Sequence, residues 1–133
     1  MLTIFPIQEK TILAPILVNY TCVGHEQAVL EAREREKQLG YLVLDVLQYD
    51  IVILDLIIEK SNNRDQLKEE NQQLIDSMIK AAISYGVNRN IFRVQSKQRT
   101  ILPLLQQFGF EYTGDRCVLD VTKIIKKCKN CKN

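Results

Sequence analysis

The chain lacks the residues that several common classes of protein depend on. Its 133 residues include no tryptophan and a single histidine, His25. A lone histidine with no recognisable partner reads as a surface or half-buried side chain rather than as a base or ligand. Cysteine is scarce: Cys22, Cys117, Cys128 and Cys131 are too few and too unevenly placed for a secreted disulfide framework. Cys128-Lys-Asn-Cys131 has the spacing of half a zinc site or a redox pair. A structural zinc needs four such ligands, and Cys22, Cys117 and His25 would have to converge from distant positions to complete one. A redox pair normally opens a helix after a strand, whereas this pair sits in a lysine-rich tail. We therefore expect free thiols and no metal.

Long apolar runs are also missing. None approaches the ~20 residues that cross a bilayer, and Met1–Ile7 has no basic residue before Glu9 and Lys10 follow. The net charge is only +2, from 18 basic and 16 acidic residues, so the body of the protein exerts no strong pull on nucleic acid or anionic lipid. Lys123, Lys126, Lys127, Lys129 and Lys132 in the tail have no interleaved aromatics for bases to stack on. The expectation is a cytoplasmic protein with no nucleic-acid partner and no membrane partner.

What is present fits one globular domain over residues 1–122, followed by the Lys/Cys-rich tail 123–133; 46% of residues are hydrophobic. Leu2–Ile7 reads as a short strand closed by Pro6. Pro15 limits any helix in Glu9–Tyr20 to one or two turns. Gly24–Gly40 is ambiguous. Composition favours a helix over Gln27–Gln38, but the apolar residues stop at Ala32 and leave no helical face. Ala28, Leu30 and Ala32 alternate with Val29, Glu31 and Arg33, which favours a strand over Gln27–Arg33 and a charged turn before Gly40.

Tyr41–Leu47 and Ile51–Glu59 read as a hairpin, and the nearly unbroken apolar run Ile51–Ile58 as a central strand covered on both faces. Asp65 is a candidate N-cap for a helix through Leu67, Leu74, Ile75, Met78, Ile79, Ala82 and Tyr85 to Gly86. Ile91–Val94 reads as a strand, Gln98–Phe108 as a helix closed by Gly109, and Glu111–Tyr112 with Arg116–Val121 as a final hairpin.

This order, with Gly40-Tyr-Leu-Val-Leu44, the helix ending Ala82…Gly86 and the segment Leu104-Leu-Gln-Gln-Phe-Gly-Phe110-Glu-Tyr-Thr-Gly114, resembles the GNAT family of acyl-CoA N-acyltransferases over roughly Gln27–Val121. The resemblance implies an α/β (α+β) fold, a mixed and mostly antiparallel sheet with flanking helices. It also implies acetyl-CoA as acyl donor and a small amine as acceptor. Two features depart from the family. Its glycine loop, whose backbone N–H groups hold pyrophosphate at a helix N-terminus, would fall at Gln66–Asn71, yet no glycine occurs between Gly40 and Gly86 and Glu69 and Glu70 stand there. Carboxylates suit a helix N-terminus but repel an anionic cofactor. The tyrosine that protonates the leaving thiolate is replaced by Leu105; Tyr112 and Tyr85 are the nearest phenols in sequence.

For the site itself, the resemblance points to a carboxylate near the central strand. Asp55 and Glu59 are the candidate bases: four residues apart on a strand, they share one face. Cofactor contacts fall on Ile57 and Ile58 of that strand and on Arg64 and Gln66 in the loop beyond. Two functions follow: a divergent N-acetyltransferase, or a non-catalytic domain of the same fold that binds a protein partner or small ligand, with a homodimer as one such state.

Overall fold

The computed structural model describes residues 2–59 and 71–123. The chain runs β1 (Leu2–Pro6), α1 (Lys10–Leu17), β2 (Glu26–Glu34), β3 (Lys37–Val46), β4 (Ile51–Ile58), α2 (Gln72–Val87), β5 (Arg93–Ser96), α3 (Leu102–Phe108), β6 (Glu111–Thr113) and β7 (Arg116–Asp120). The seven strands among the described residues form one sheet in the order β1-β2-β3-β4-β5-β7-β6. The β4–β5 pair is parallel and the other pairs are antiparallel. This is the α/β, mostly antiparallel arrangement expected.

The ambiguous segment is a strand. Glu26–Glu34 pairs with β1 on one side and with β3 on the other. Alanine, leucine and glutamate favour a helix locally, but two ladders of backbone hydrogen bonds and the burial of Ala28, Leu30 and Ala32 override that preference. The charged turn is shorter than expected: Arg35 adopts φ 59, and β3 resumes at Lys37, ahead of Gly40.

One sheet face carries the core. Leu30, Leu42, Leu44, Ile51 and Ile53 pack with Ile75, Met78 and Ile79 of α2 and Leu105 of α3. Gly86 lets α2 lie close to the sheet, since a Cβ there would sit 2.9 Å from Ile51 Cγ1 and 3.0 Å from the Ile91 carbonyl oxygen. The C-terminal end of α2 thus lies over the start of β4, and its N-terminal end lies toward the end of β4. On the second face, α1 lies beside Glu31 and Arg33. Pro15 sits inside that two-turn helix rather than ending it; the carbonyl one turn before it simply lacks an N–H donor.

Other boundaries move. β5 runs to Ser96, two residues past Val94, because β7 extends the ladder from Arg93↔Asp120 to Ser96↔Cys117. α3 begins at Leu102 rather than Gln98, with Pro103 in its first turn. α2 begins at Gln72 with Asn71 in the N-cap position; the proposed cap Asp65 and helix residue Leu67 lie outside the described residues, as do Cys128 and Cys131.

Candidate active site

β4 and β5 part soon after they meet. Their parallel ladder consists of Ile51↔Val94 and Val52↔Gln95, although β4 continues to Ile58. Past that point Ser96 replaces the ladder: its buried hydroxyl donates to the Ile53 carbonyl at 2.7 Å and accepts from the Gln98 N–H at 3.1 Å. Beyond Ile53 the edge of β4 that faced β5 has no strand partner among the described residues. Two strands that diverge from a shared start leave a V-shaped opening, with backbone donors and acceptors along one side.

At the same place β4 carries a bulge. Val43 pairs with Asp55 and Leu44 pairs with Ile53, so Leu54 is one residue extra. The insertion reverses the alternation. Ile51 and Ile53 face the α2 core before it, Leu56 and Ile58 face that core after it, and Asp55 is turned onto the second face beside Val43. In a regular strand with no bulge, Asp55 would share the face of Ile51 and Ile53 and its carboxylate would point into hydrocarbon.

On the second face Asp55 meets two phenols. Tyr20, from the loop after α1, donates its hydroxyl to Asp55 Oδ2 at 2.8 Å, and the Leu56 N–H donates to Asp55 Oδ1 at 2.9 Å. Tyr41 pairs across from Ile57 on β3. Burial pushes the Tyr41 phenol up from its ordinary value, and the charges of Glu59 and Asp55 push it further. Asp55 is 7% exposed, whereas Glu59 lies at the open end just past β4.

The loop that carries Tyr20 is anchored by Asp45. This carboxylate, 1% exposed, accepts the Val23 N–H at 2.8 Å, the Gly24 N–H at 3.0 Å and the Gln27 side-chain amide at 3.1 Å. Glycine is required at position 24, because a Cβ would lie 2.2 Å from the Val46 carbonyl oxygen. Between this loop and β5 lies a cleft of about 440 Å³, lined by Asp45, Val52, Leu54, Gln95, Lys97 and Arg116 among others.

No protein-family model matches the chain, and no curated protein matches its sequence. Solved structures do. A GNAT family acetyltransferase from Elizabethkingia anophelis with acetyl-CoA bound superposes with a TM-score of 0.61 at 13% identity, over 90% of this chain and 97% of that one. The ribosomal-protein-S18-alanine N-acetyltransferase from Escherichia coli gives 0.64 at 13% identity, over 91% and 94%. The chain has the GNAT fold. A spermidine N-acetyltransferase from Vibrio cholerae, itself dodecameric, gives 0.62 at 11% identity over 95% and 97%. Identities this low establish shape, not activity.

Within the GNAT fold the sequence-derived candidates separate. Asp55 and Glu59 do share a face and flank Tyr41. Ile57 is half-buried on that same face, while the Ile58 side chain is 6% exposed within the α2 core, which leaves only its backbone for a ligand. Arg64 and Gln66, with Glu69 and Glu70, lie outside the described residues. Leu105 is fully buried in the core. Tyr112 pairs opposite Cys117, on the α3 side of the sheet and away from Asp55. Tyr85 donates its hydroxyl to Glu26 at 3.0 Å, far along α2 from the opening. Neither phenol belongs to the cleft.

Tyr20, Tyr41, Asp45 and Ser96 were not legible as site residues. They come from separate elements, only Asp45 among them lining the cleft, and the pairs Tyr20–Asp55 and Ser96–Ile53 span 35 and 43 positions. The one local hint was Gly24, a glycine beside an otherwise unremarkable polar loop.

Proposed function

We propose that the chain is an N-acyltransferase that takes acyl-CoA as donor and a small amine as acceptor. The observation that carries this reading is the coincidence of the β4–β5 parting with the bulge at Leu54, which puts an open backbone edge and the Asp55 carboxylate at one point of the sheet.

The residues present fit the donor. The unpaired edge of β4 suits the amide-bearing arm of coenzyme A, with the backbone of Ile57 and Ile58 as the nearest contacts. At the end of β4, α2 opens with no side-chain cap on Asn71 and no acidic residue in its first turn. Among the described residues no side chain caps its first N–H groups, which suits them to phosphate oxygens, whereas Glu69 and Glu70, just before it in sequence, oppose an anion there. Acyl-CoA would supply a thioester carbonyl as the electrophile. Asp55 would accept the proton that the attacking amine must lose, and the Tyr20 hydroxyl would hold the carboxylate in one orientation. Tyr41, its phenol pushed up, stays protonated and adds no negative charge beside that carboxylate. Most of the rate advantage would come from positioning amine and thioester together.

A second reading has its own support. No glycine separates Gly40 from Gly86, and Leu105 is locked in the core, so the domain would bind a partner or ligand without turnover. Titration calorimetry with acetyl-CoA and with free coenzyme A distinguishes the two. Micromolar binding, followed by thiol release in the presence of amines, supports the enzyme. No heat at millimolar ligand refutes it and leaves the binding domain.

A further inference from the structure

We infer that the cleft between the Thr21–Gly24 loop and β5 is an acceptor subsite for a carboxylate, so that the acceptor is a small amine of the amino-acid type. This deepens the acyltransferase reading and rests on it for the word acceptor; the carboxylate subsite stands by itself.

The charged groups facing this cleft leave positive charge uncommitted. Among the described lining residues Asp45 is the one carboxylate, and both its oxygens are taken by the Val23 and Gly24 N–H groups and the Gln27 amide. Thr21 and Gln98 both donate and accept, while Lys97 and Arg116 only donate. Gln95 is 6% exposed, and its carbonyl oxygen accepts Arg116 Nη1 at 2.7 Å. That bond turns the amide so that its NH₂ is the free end, and this NH₂ reaches solvent in the cleft, since no buried side-chain nitrogen lacks a partner among the described residues. A ligand oxygen in the cleft would take the place of water on it.

Arg116 stands beside it. Its Nε is 3.3 Å from the exposed Asp115 carboxylate, a surface contact that holds the side chain weakly, and Nη2 remains available. Lys97 is exposed at the rim; the Arg116 hydrogen bond first, and then the charges of Lys97 and Arg116, help hold the Asp115 carboxyl below its ordinary range. An amide NH₂, a guanidinium edge and an ammonium offer donors and positive charge to one small volume, which is the complement of a carboxylate.

Position argues for the acceptor rather than for the phosphates of the donor. Gln95 pairs with Val52 where β4 and β5 are still joined, at the closed end of the opening. The uncapped start of α2 lies at the other end. Asp55 follows Leu54 of the cleft wall on the second face, so an amine directed at Asp55 places a neighbouring carboxylate toward Arg116.

The test is a titration of the full chain with L-amino acids and with their matched carboxamides, monitored by NMR at the Gln95 side-chain NH₂ and Arg116 Nε, with acetyl-CoA titrated separately. The expected result is shifts at both groups for the carboxylates and binding about ten-fold or more weaker for the amides. Arg116→Gln and the exposed Lys97→Ala should remove that preference while leaving acetyl-CoA affinity unchanged. Equal binding of acid and amide, or no binding of either, overturns the inference. So does a loss of acetyl-CoA affinity in the two variants, which would assign the cations to the donor's phosphates. If acetyl-CoA fails to bind and the carboxylates still shift Gln95, the enzyme reading falls and the subsite stands.

Discussion

The Ser96 hydroxyl donates to the Ile53 carbonyl oxygen at 2.7 Å, at the first point where β4 and β5 no longer pair. A single side chain thus closes the inner end of the opening and also accepts the Gln98 N–H that starts the next loop. Ser96→Ala removes both bonds and leaves a buried carbonyl without its donor. We expect a loss of about 1–3 kcal/mol in urea unfolding and faster amide exchange at Gln98. A variant as stable as the parent would show that water replaces the hydroxyl and that Ser96 is not the closing element.

Asp55 and Tyr20 provide the kinetic test of the proposed chemistry. Asp55→Asn should lower kcat by about 10²–10⁴ while acetyl-CoA binding is retained. Tyr20→Phe keeps the ring but loses the donor to Asp55 Oδ2. It should lower kcat several-fold at unchanged acetyl-CoA affinity, because the carboxylate loses the bond that orients it. A Tyr20→Phe enzyme with an unchanged kcat would relegate that hydrogen bond to packing.

Gly24 is the tightest point of the loop before β2. A methyl group there would collide with the Val46 carbonyl and with Asp45 Oδ1, at 2.2 and 2.6 Å. Gly24→Ala should therefore detach the Val23 and Gly24 N–H groups from Asp45 and lower Tm. Gly114→Ala is the control for steric room: it meets no neighbour and pays only for its φ of +67. Equal losses from the two substitutions would mean that crowding at position 24 is relieved elsewhere.

The contact between β2 and α2 predicts how stability depends on pH at both ends. Glu26 accepts from Arg89 and from Tyr85, and the Arg89 guanidinium lies 3.5 Å from the centre of the Tyr85 ring. The hydrogen bond from Arg89 is the main cause of a lowered Glu26 pKa, against an ordinary 4.5. Its contribution is complete above that value and disappears as pH falls through the lower folded pKa. Burial, then the bond to Glu26, pushes Tyr85 from 10.0 up to about 12. That contribution is complete below pH 10.0 and is lost as pH rises toward 12. Denaturation of Glu26→Gln across this range should show a flatter acid limb and a weaker alkaline loss. Parallel curves for variant and parent would refute the linkage.

Much of the architecture was legible because it rests on local periodicity. The alternation of Ala28, Leu30 and Ala32 identified β2 against its own helix propensity, and Leu74 to Gly86 marked α2 by spacing alone. Strand ends were less legible, since the end of β5 depends on how far β7 runs alongside. The bulge was invisible. Ile51–Ile58 is apolar at every position except Asp55, so an inserted residue leaves no break in the pattern, and only the register against β3 shows it.

The sequence by itself determined the order of elements, the absence of glycine between Gly40 and Gly86 and the shared face of Asp55 and Glu59, because each follows from neighbours along the chain. The tertiary structure alone decided that Asp55 faces the second side of the sheet, that Tyr20 reaches it, and that Gln95, Lys97 and Arg116 share a cleft with a fully bonded Asp45. Those relationships join residues tens of positions apart. They are fixed by which strands pair and where they part, and no short-range pattern of side chains records either.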